Sequence, residues 1–176
     1  EDVVSNDSYP DTGEPDWTAT AGMACDLIRS VGKGEPWILM EQAPSQVNWR
    51  YQNVNKRPGV MRLGSMQAIA RGANGIMFFQ WRQSKAGVEK HHSGMIPHAG
   101  TDSRIWREVK ALGNELPRLN GLLASKVDSQ VAIVMDWSNW WALELESKPS
   151  NDLKLIKNIA AFYQPLFENH ITADLS

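Results

Sequence analysis

Glu41 closes an apolar run, Trp37-Ile38-Leu39-Met40, and opens a polar one, Gln42-Ala43-Pro44-Ser45-Gln46-Val47-Asn48-Trp49. A second apolar run, Gly75-Ile76-Met77-Phe78-Phe79, ends in Gln80-Trp81-Arg82-Gln83, with Glu89 and His92 just beyond. Two buried strands that deliver polar and aromatic groups at their C-terminal ends are how an α/β barrel builds an active site. Carboxylates set among tryptophans suit chemistry on a sugar, because paired carboxylates cleave glycosidic bonds and indole faces stack on pyranose rings. Tryptophan is in excess throughout: eight of 176 residues, against three Tyr and four Phe. The excess tilts toward carbohydrate, although some of these rings must be core.

The elements that position these groups follow from periodicity. Short apolar segments at 2–5, 37–41 and 75–80 predict strands. Helical patterns predict α-helices over 16–31, 58–71 and 103–124, with Gly32 and Gly72 as stops. Pro58 suits a first turn, and Pro117 predicts a kink or break in the third helix. None of the three strands alternates, which marks parallel strands buried on both faces. The loop after each strand is longer and more polar than the loop after each helix, so function lies at the strand C-termini. After Ser125–Ser129 a fourth strand, 131–135, leads through the Trp137, Trp140 and Trp141 segment and a polar loop to a helix over 152–169. A further strand begins near 170–175. That order predicts the first βα unit of an open, doubly wound domain.

Composition narrows the function. Eighteen basic and 20 acidic residues leave a net charge of −2 without a basic run, which argues against nucleic acid. No stretch approaches a membrane span, no signal peptide is visible, and no Gly-rich phosphate loop is present. Cys25 is the single cysteine and reads as a buried helix thiol. Asp2-Val3-Val4-Ser5 reads as a core strand already under way, so the chain is expected to be a piece of a longer protein.

Five ordered motifs resemble the glycoside hydrolase family 42 β-galactosidases: Met40-Glu41-Gln42-Ala43-Pro44 with Asn48-Trp49; Ala70-Arg71-Gly72-Ala73; Phe78-Phe79-Gln80-Trp81-Arg82-Gln83-Ser84; Glu89 with His92; and Val134-Met135-Asp136-Trp137 with Trp140-Trp141. The resemblance covers nearly the whole chain. It implies the last three β/α units of a (β/α)8 barrel (1–126), followed by the first βα unit of a flavodoxin-like trimerisation domain (127–176). The implied activity is retaining hydrolysis of terminal β-galactosides in a cytoplasmic homotrimer, with neither nucleic acid nor membrane as partner. An α-arabinopyranosidase would share the mechanism.

By resemblance Glu41 is the nucleophile, and Tyr9 lies near enough to hydrogen-bond to it. Trp49 stacks on the galactose ring, Phe79 lines a subsite, and Glu89 and His92 hold sugar hydroxyls. Gln42, Asn48, Trp81 and Arg82 brace the pocket. The family's acid/base is the Glu of an Asn-Glu pair ending a strand. Asn114-Glu115 instead falls inside a predicted helix, so this chain is expected to lack that group and to be inactive alone. The alternative is a remnant that serves only in sugar binding or subunit assembly. The family's zinc-binding cysteines have no counterpart here, and no cofactor is expected. A metal site at Glu89 and His92 is disfavoured for want of a third ligand. Two departures are Asn6, where the family often has Trp, and the altered run His170–Asp174.

Overall fold

A computed structural model describes residues 3–123 and 125–176. The first sheet is parallel, in the order β1 (Val4–Asp7), β2 (Trp37–Glu41), β3 (Ala73–Ile76). Helices α1 (Trp17–Val31), α2 (Val60–Ala70) and α3 (Arg104–Glu115) follow the three strands in turn. Cys25 from α1, Ala68 from α2, and Trp37, Leu39 and Ala73 from the sheet form one buried cluster. All three strand C-termini therefore open on one end, as the fold class requires.

Local chemistry sets the boundaries. Ser103 caps α3, its Oγ accepting from Trp106 N at 3.2 Å. Gly59 precedes α2 with φ of 83°, a conformation that favours glycine, so the helix starts at Val60 and not at Pro58. Pro117 has the expected effect: the α-helix stops at Glu115 and a 3₁₀ segment runs Leu116–Leu122. Ala124, at the end of the predicted helix, lies outside the described residues, as does Asp2 of the first predicted strand. β3 ends at Ile76, short of the predicted Gln80. Beyond it Met77 N still bonds Leu39 O at 2.9 Å and Phe79 N bonds Gln42 O at 3.1 Å, but the regular ladder is over and Phe79–Gln80 is a cis peptide.

The second sheet pairs β4 (Val131–Ile133) with β5 (Ala173–Leu175) in parallel, joined through α4 (Trp137–Glu144) and α5 (Leu155–Glu168). Helix α4 is a correction to the sequence reading. Asp136 caps it, accepting from Ser138 N at 3.1 Å and Asn139 N at 3.2 Å. Ile159, Tyr163, Ala173 and Leu175 form the core of this second unit, and Met23 and Leu27 of α1 pack into it.

A buried ionic cluster joins the two sheets' helices. Asp26 and Arg29 of α1 are 0% and 2% exposed. Asp26 accepts from Arg29, from Arg71 at the end of α2, and from the Tyr163 hydroxyl of α5. Arg29 Nη2 continues to Ala173 O at 2.9 Å and Asp174 Oδ1 at 2.8 Å. Arg71 lies 5.4 Å from the Phe167 ring centroid. A separate, exposed pair from Arg62 bridges α2 to Glu115 of α3.

Candidate active site

The three strand ends bring Tyr9, Glu41, Trp49, Phe79, Glu89 and His92 together. Glu41 is the last residue of β2, half-buried, and its Oε2 accepts from the Tyr9 hydroxyl at 2.7 Å. Burial first, then this bond and the Glu41 charge, lift the Tyr9 phenol well above its ordinary value, so it stays a donor. Asp7, paired in register with Glu41, has its own carboxyl raised by desolvation and then by the Glu41 charge.

An aromatic wall stands over this carboxylate. Tyr9 meets Trp49 edge-on with ring centroids 5.0 Å apart, and Phe79 meets His92 edge-on at 4.9 Å. Trp49 lies at 5.3 Å from His92, tilted 31°, and is 57% exposed. An exposed indole beside a carboxylate is a platform that an apolar sugar face can cover. His92 is wholly buried behind these rings. Its Nδ1 lies 2.8 Å from Ser93 O, and its Nε2 has no partner among the described residues. Asn48 Nδ2 donates to Val88 O at 2.7 Å and to Glu89 Oε2 at 3.3 Å, so it sets the Glu89 carboxylate. Among the described residues no group of three His, Cys, Asp or Glu is placed to hold a metal ion.

The bracing residues divide. Gln42 is buried and donates from Nε2 to Ser65 Oγ at 2.8 Å, which ties the Glu41 loop to α2. Trp81 is 62% exposed and stands edge-on to Trp106 at 6.0 Å, outside the aromatic wall. The Arg82 backbone bridges to Ile96 while its side chain is exposed.

The loop that carries Glu89 and His92 is closed at its neck. Met95 N bonds Gln80 O at 2.7 Å, Ile96 N bonds Trp81 O at 2.9 Å, and Gln83 N bonds Ile96 O at 3.0 Å. Gly94 sits where a Cβ would fall 2.4 Å from Gln83 N. The Gln83 side chain spans the same neck, from Lys90 O to His98 N.

Sequence reasoning passed over several supports. Ser93 is buried; its Oγ accepts from Ser45 N at 3.0 Å and its own N–H donates to Gln46 O at 3.0 Å. Arg50 donates to Tyr9 O and pairs with Asp11 at 3.3 Å, fixing the turn that follows Tyr9. Their signal lies only in partners far along the chain.

A family model described as "Beta-galactosidase" matches residues 1–119, and one described as "Beta-galactosidase trimerisation domain" matches residues 129–176. The chain is 53% identical over 174 residues to β-galactosidase BgaB of a Geobacillus species and 55% identical to β-galactosidase LacZ of Heyndrickxia coagulans, covering 98% of this chain and 26% of each relative. It therefore spans about a quarter of these relatives' length. The crystal structure of β-galactosidase from Bacillus circulans sp. alkalophilus superposes with a TM-score of 0.93 at 43% identity, over 99% of this chain and 26% of that one. The architecture is accordingly the last three β/α units of a (β/α)8 barrel followed by the first βα unit of a flavodoxin-like domain. With a family match over more than half its length, at the residues that gather around Glu41, this chain belongs to the glycoside hydrolase family 42 β-galactosidases.

Proposed function

We propose that these residues form part of a retaining exo-β-galactosidase, with Glu41 as the nucleophile. The observation that carries the reading is the Tyr9–Glu41 bond of 2.7 Å beneath an exposed Trp49. The ionised carboxylate attacks the anomeric carbon, and the aglycone oxygen leaves with a proton from a second carboxylic acid. That acid stands about 5–5.5 Å away in a retaining enzyme. It comes from a barrel strand outside these residues. Water then attacks the galactosyl ester, giving its proton to the same second carboxylate, and galactose leaves with its configuration retained. Both steps run on carboxylates, so no cofactor is needed.

Trp49 and Phe79 form the apolar side of the sugar site, and Glu89 accepts from two hydroxyls. His92 Nε2, which has no partner here, bonds a hydroxyl once a shift of Trp49 opens it. The second unit joins copies into a trimer, and the enzyme works in the cytoplasm. No helix among the described residues is long and apolar enough to cross a membrane. The 176 residues alone, holding one of the two carboxylates, do not turn over substrate.

The test uses the full-length protein carrying this chain and an aryl β-galactoside. Glu41→Ala is expected to lower kcat by at least about 10³-fold, and azide is expected to restore turnover by forming the inverted galactosyl azide. Undiminished turnover in Glu41→Ala would refute the assignment.

A further inference from the structure

Four carbonyls in the turn that follows Glu41 are each held by a donor from another part of the chain. Glu41 O accepts from Ser8 N at 2.8 Å, Gln42 O from Phe79 N at 3.1 Å, and Gln46 O from Ser93 N at 3.0 Å. The fourth is Ala43 O, and its donor is not a backbone amide. It is the ammonium of Lys56, at 2.5 Å. Lys56 lies in what reads as a polar surface loop, yet it is only 8% exposed. The nearby charge that acts on it most is another cation, Arg50, and among the described residues no carboxylate forms an ion pair with it. Arg104 anchors its backbone from α3, donating to Lys56 O at 3.0 Å. Arg104 is itself paired with Glu108 at 2.9 Å.

A lone buried ammonium is a costly way to satisfy one carbonyl. Burial first, and then the Arg50 charge, pull the Lys56 amine down to about 8. A hydrophobic core does not require such a group, and stability alone disfavours it. What its position does give is a fixed Ala43–Pro44 turn two residues past Glu41, in a stretch where Ala43, Pro44 and Ser45 are all buried. Misplacing a reacting group by an ångström costs about 10²-fold in rate.

We propose that Lys56 is a positioning residue for Glu41, its buried ammonium holding the turn through Ala43 O. The proposal rests on the reading of Glu41 as the nucleophile, but its geometry is testable apart from that reading. A side chain that served only stability would lose stability when replaced by its apolar isostere. A positioning residue held against stability gives the opposite pairing, with activity down and stability up.

The experiment compares Lys56→Met and Lys56→Gln with the parent in the full-length protein carrying this chain. Three readouts are taken: kcat and KM on an aryl β-galactoside, melting temperature, and amide exchange at Ser45. Lys56→Met is expected to lower kcat by about tenfold or more with KM within about twofold, to melt higher, and to exchange faster at Ser45. Lys56→Gln, which keeps an N–H donor, recovers part of the rate and stands in if the Met variant does not fold. An unchanged kcat in both variants overturns the proposal, as does a fall in kcat that merely follows a fall in melting temperature. If the parent itself hydrolyses no galactoside, the proposed activity is what fails. Ser45 exchange then decides on Lys56 alone: faster exchange in the variants supports the strut, and unchanged exchange overturns it.

Discussion

Replacing Tyr163 by Phe removes the hydroxyl through which α5 holds the Asp26 carboxylate. Hydrogen bonds to charged groups are worth about 1.5–3 kcal/mol. Arg29 and Arg71 still hold Asp26 in this variant, so the loss belongs at the lower end, about 1.5 kcal/mol. Asp26→Asn is harsher. It removes one of the two carboxylates that Arg29, itself 2% exposed, is paired with. Breaking a buried pair costs about 3–5 kcal/mol, and because Asp174 still holds Arg29 the loss belongs at the lower end, about 3 kcal/mol. The two changes should not add. Once Asp26 is an amide, the Tyr163 hydroxyl bonds a neutral oxygen, and its removal should cost about 1 kcal/mol less than in the parent. Native-state amide exchange measures this locally. The amides of α5 and β5 should lose protection in Tyr163→Phe and more so in Asp26→Asn, while those of β2 hold. Additivity of the two changes within about 0.3–0.5 kcal/mol, or an equal loss of protection in β2, would refute the view that Asp26 is the node joining the second unit to α1 and α2.

Two further outcomes follow from buried groups. Lys56 keeps its proton up to 10.5 when unfolded but only to about 8 when folded. The unfolded chain therefore binds more protons between these values, and stability should rise with pH across that window, by up to about 3 kcal/mol. A pH series of urea midpoints checks this, and a flat profile in the parent or an identical rise in Lys56→Met would count against it. Gly94→Ala places a methyl against the Gln83 backbone. It should cost about 1–3 kcal/mol and loosen residues 84–95, as read by thermal melts and limited proteolysis.

Some elements are legible in the sequence because local and tertiary signals agree. β2 lies at Trp37–Glu41, where sequence reading puts it, because an apolar run flanked by Pro36 and a polar turn admits one placement. The three βα units are equally plain from their periodicity. β3 is read too far along because Met77-Phe78-Phe79 is as apolar as a strand, while the ladder to β2 has already ended at Ile76. Helix α4 escapes because its tryptophans show no apolar stripe, although Asp136 before it is a capping signal in plain view. The gathering of Tyr9, Glu41, Trp49, Phe79, Glu89 and His92 is anticipated from the family resemblance, since Glu41 ends a strand and the others stand in the loops that follow strand C-termini. The burial of His92, Lys56 and Asp26 is not anticipated. A histidine, a lysine or an aspartate on a polar loop or helix reads as solvated until the partner on another element is known. For Asp26 that partner is 137 positions away.

The closed neck at Gln80–Gln83 and Met95–Ile96 has a consequence for how such a site diversifies. The residues between meet at this waist through backbone bonds that are indifferent to side-chain identity, while Ser93 and the Val88–Glu89 stretch are bonded to the turn after Glu41. The exposed tip at residues 85–87 can still lengthen, shorten or be exchanged as a cassette, without disturbing the segment that carries the neighbouring Phe79. The rim of the proposed site changes by swapping this cassette while Glu41 and its supports stay where they are. Grafts at this tip, keeping Ser93 and Gly94, are the place to begin redesigning the rim of the proposed sugar site.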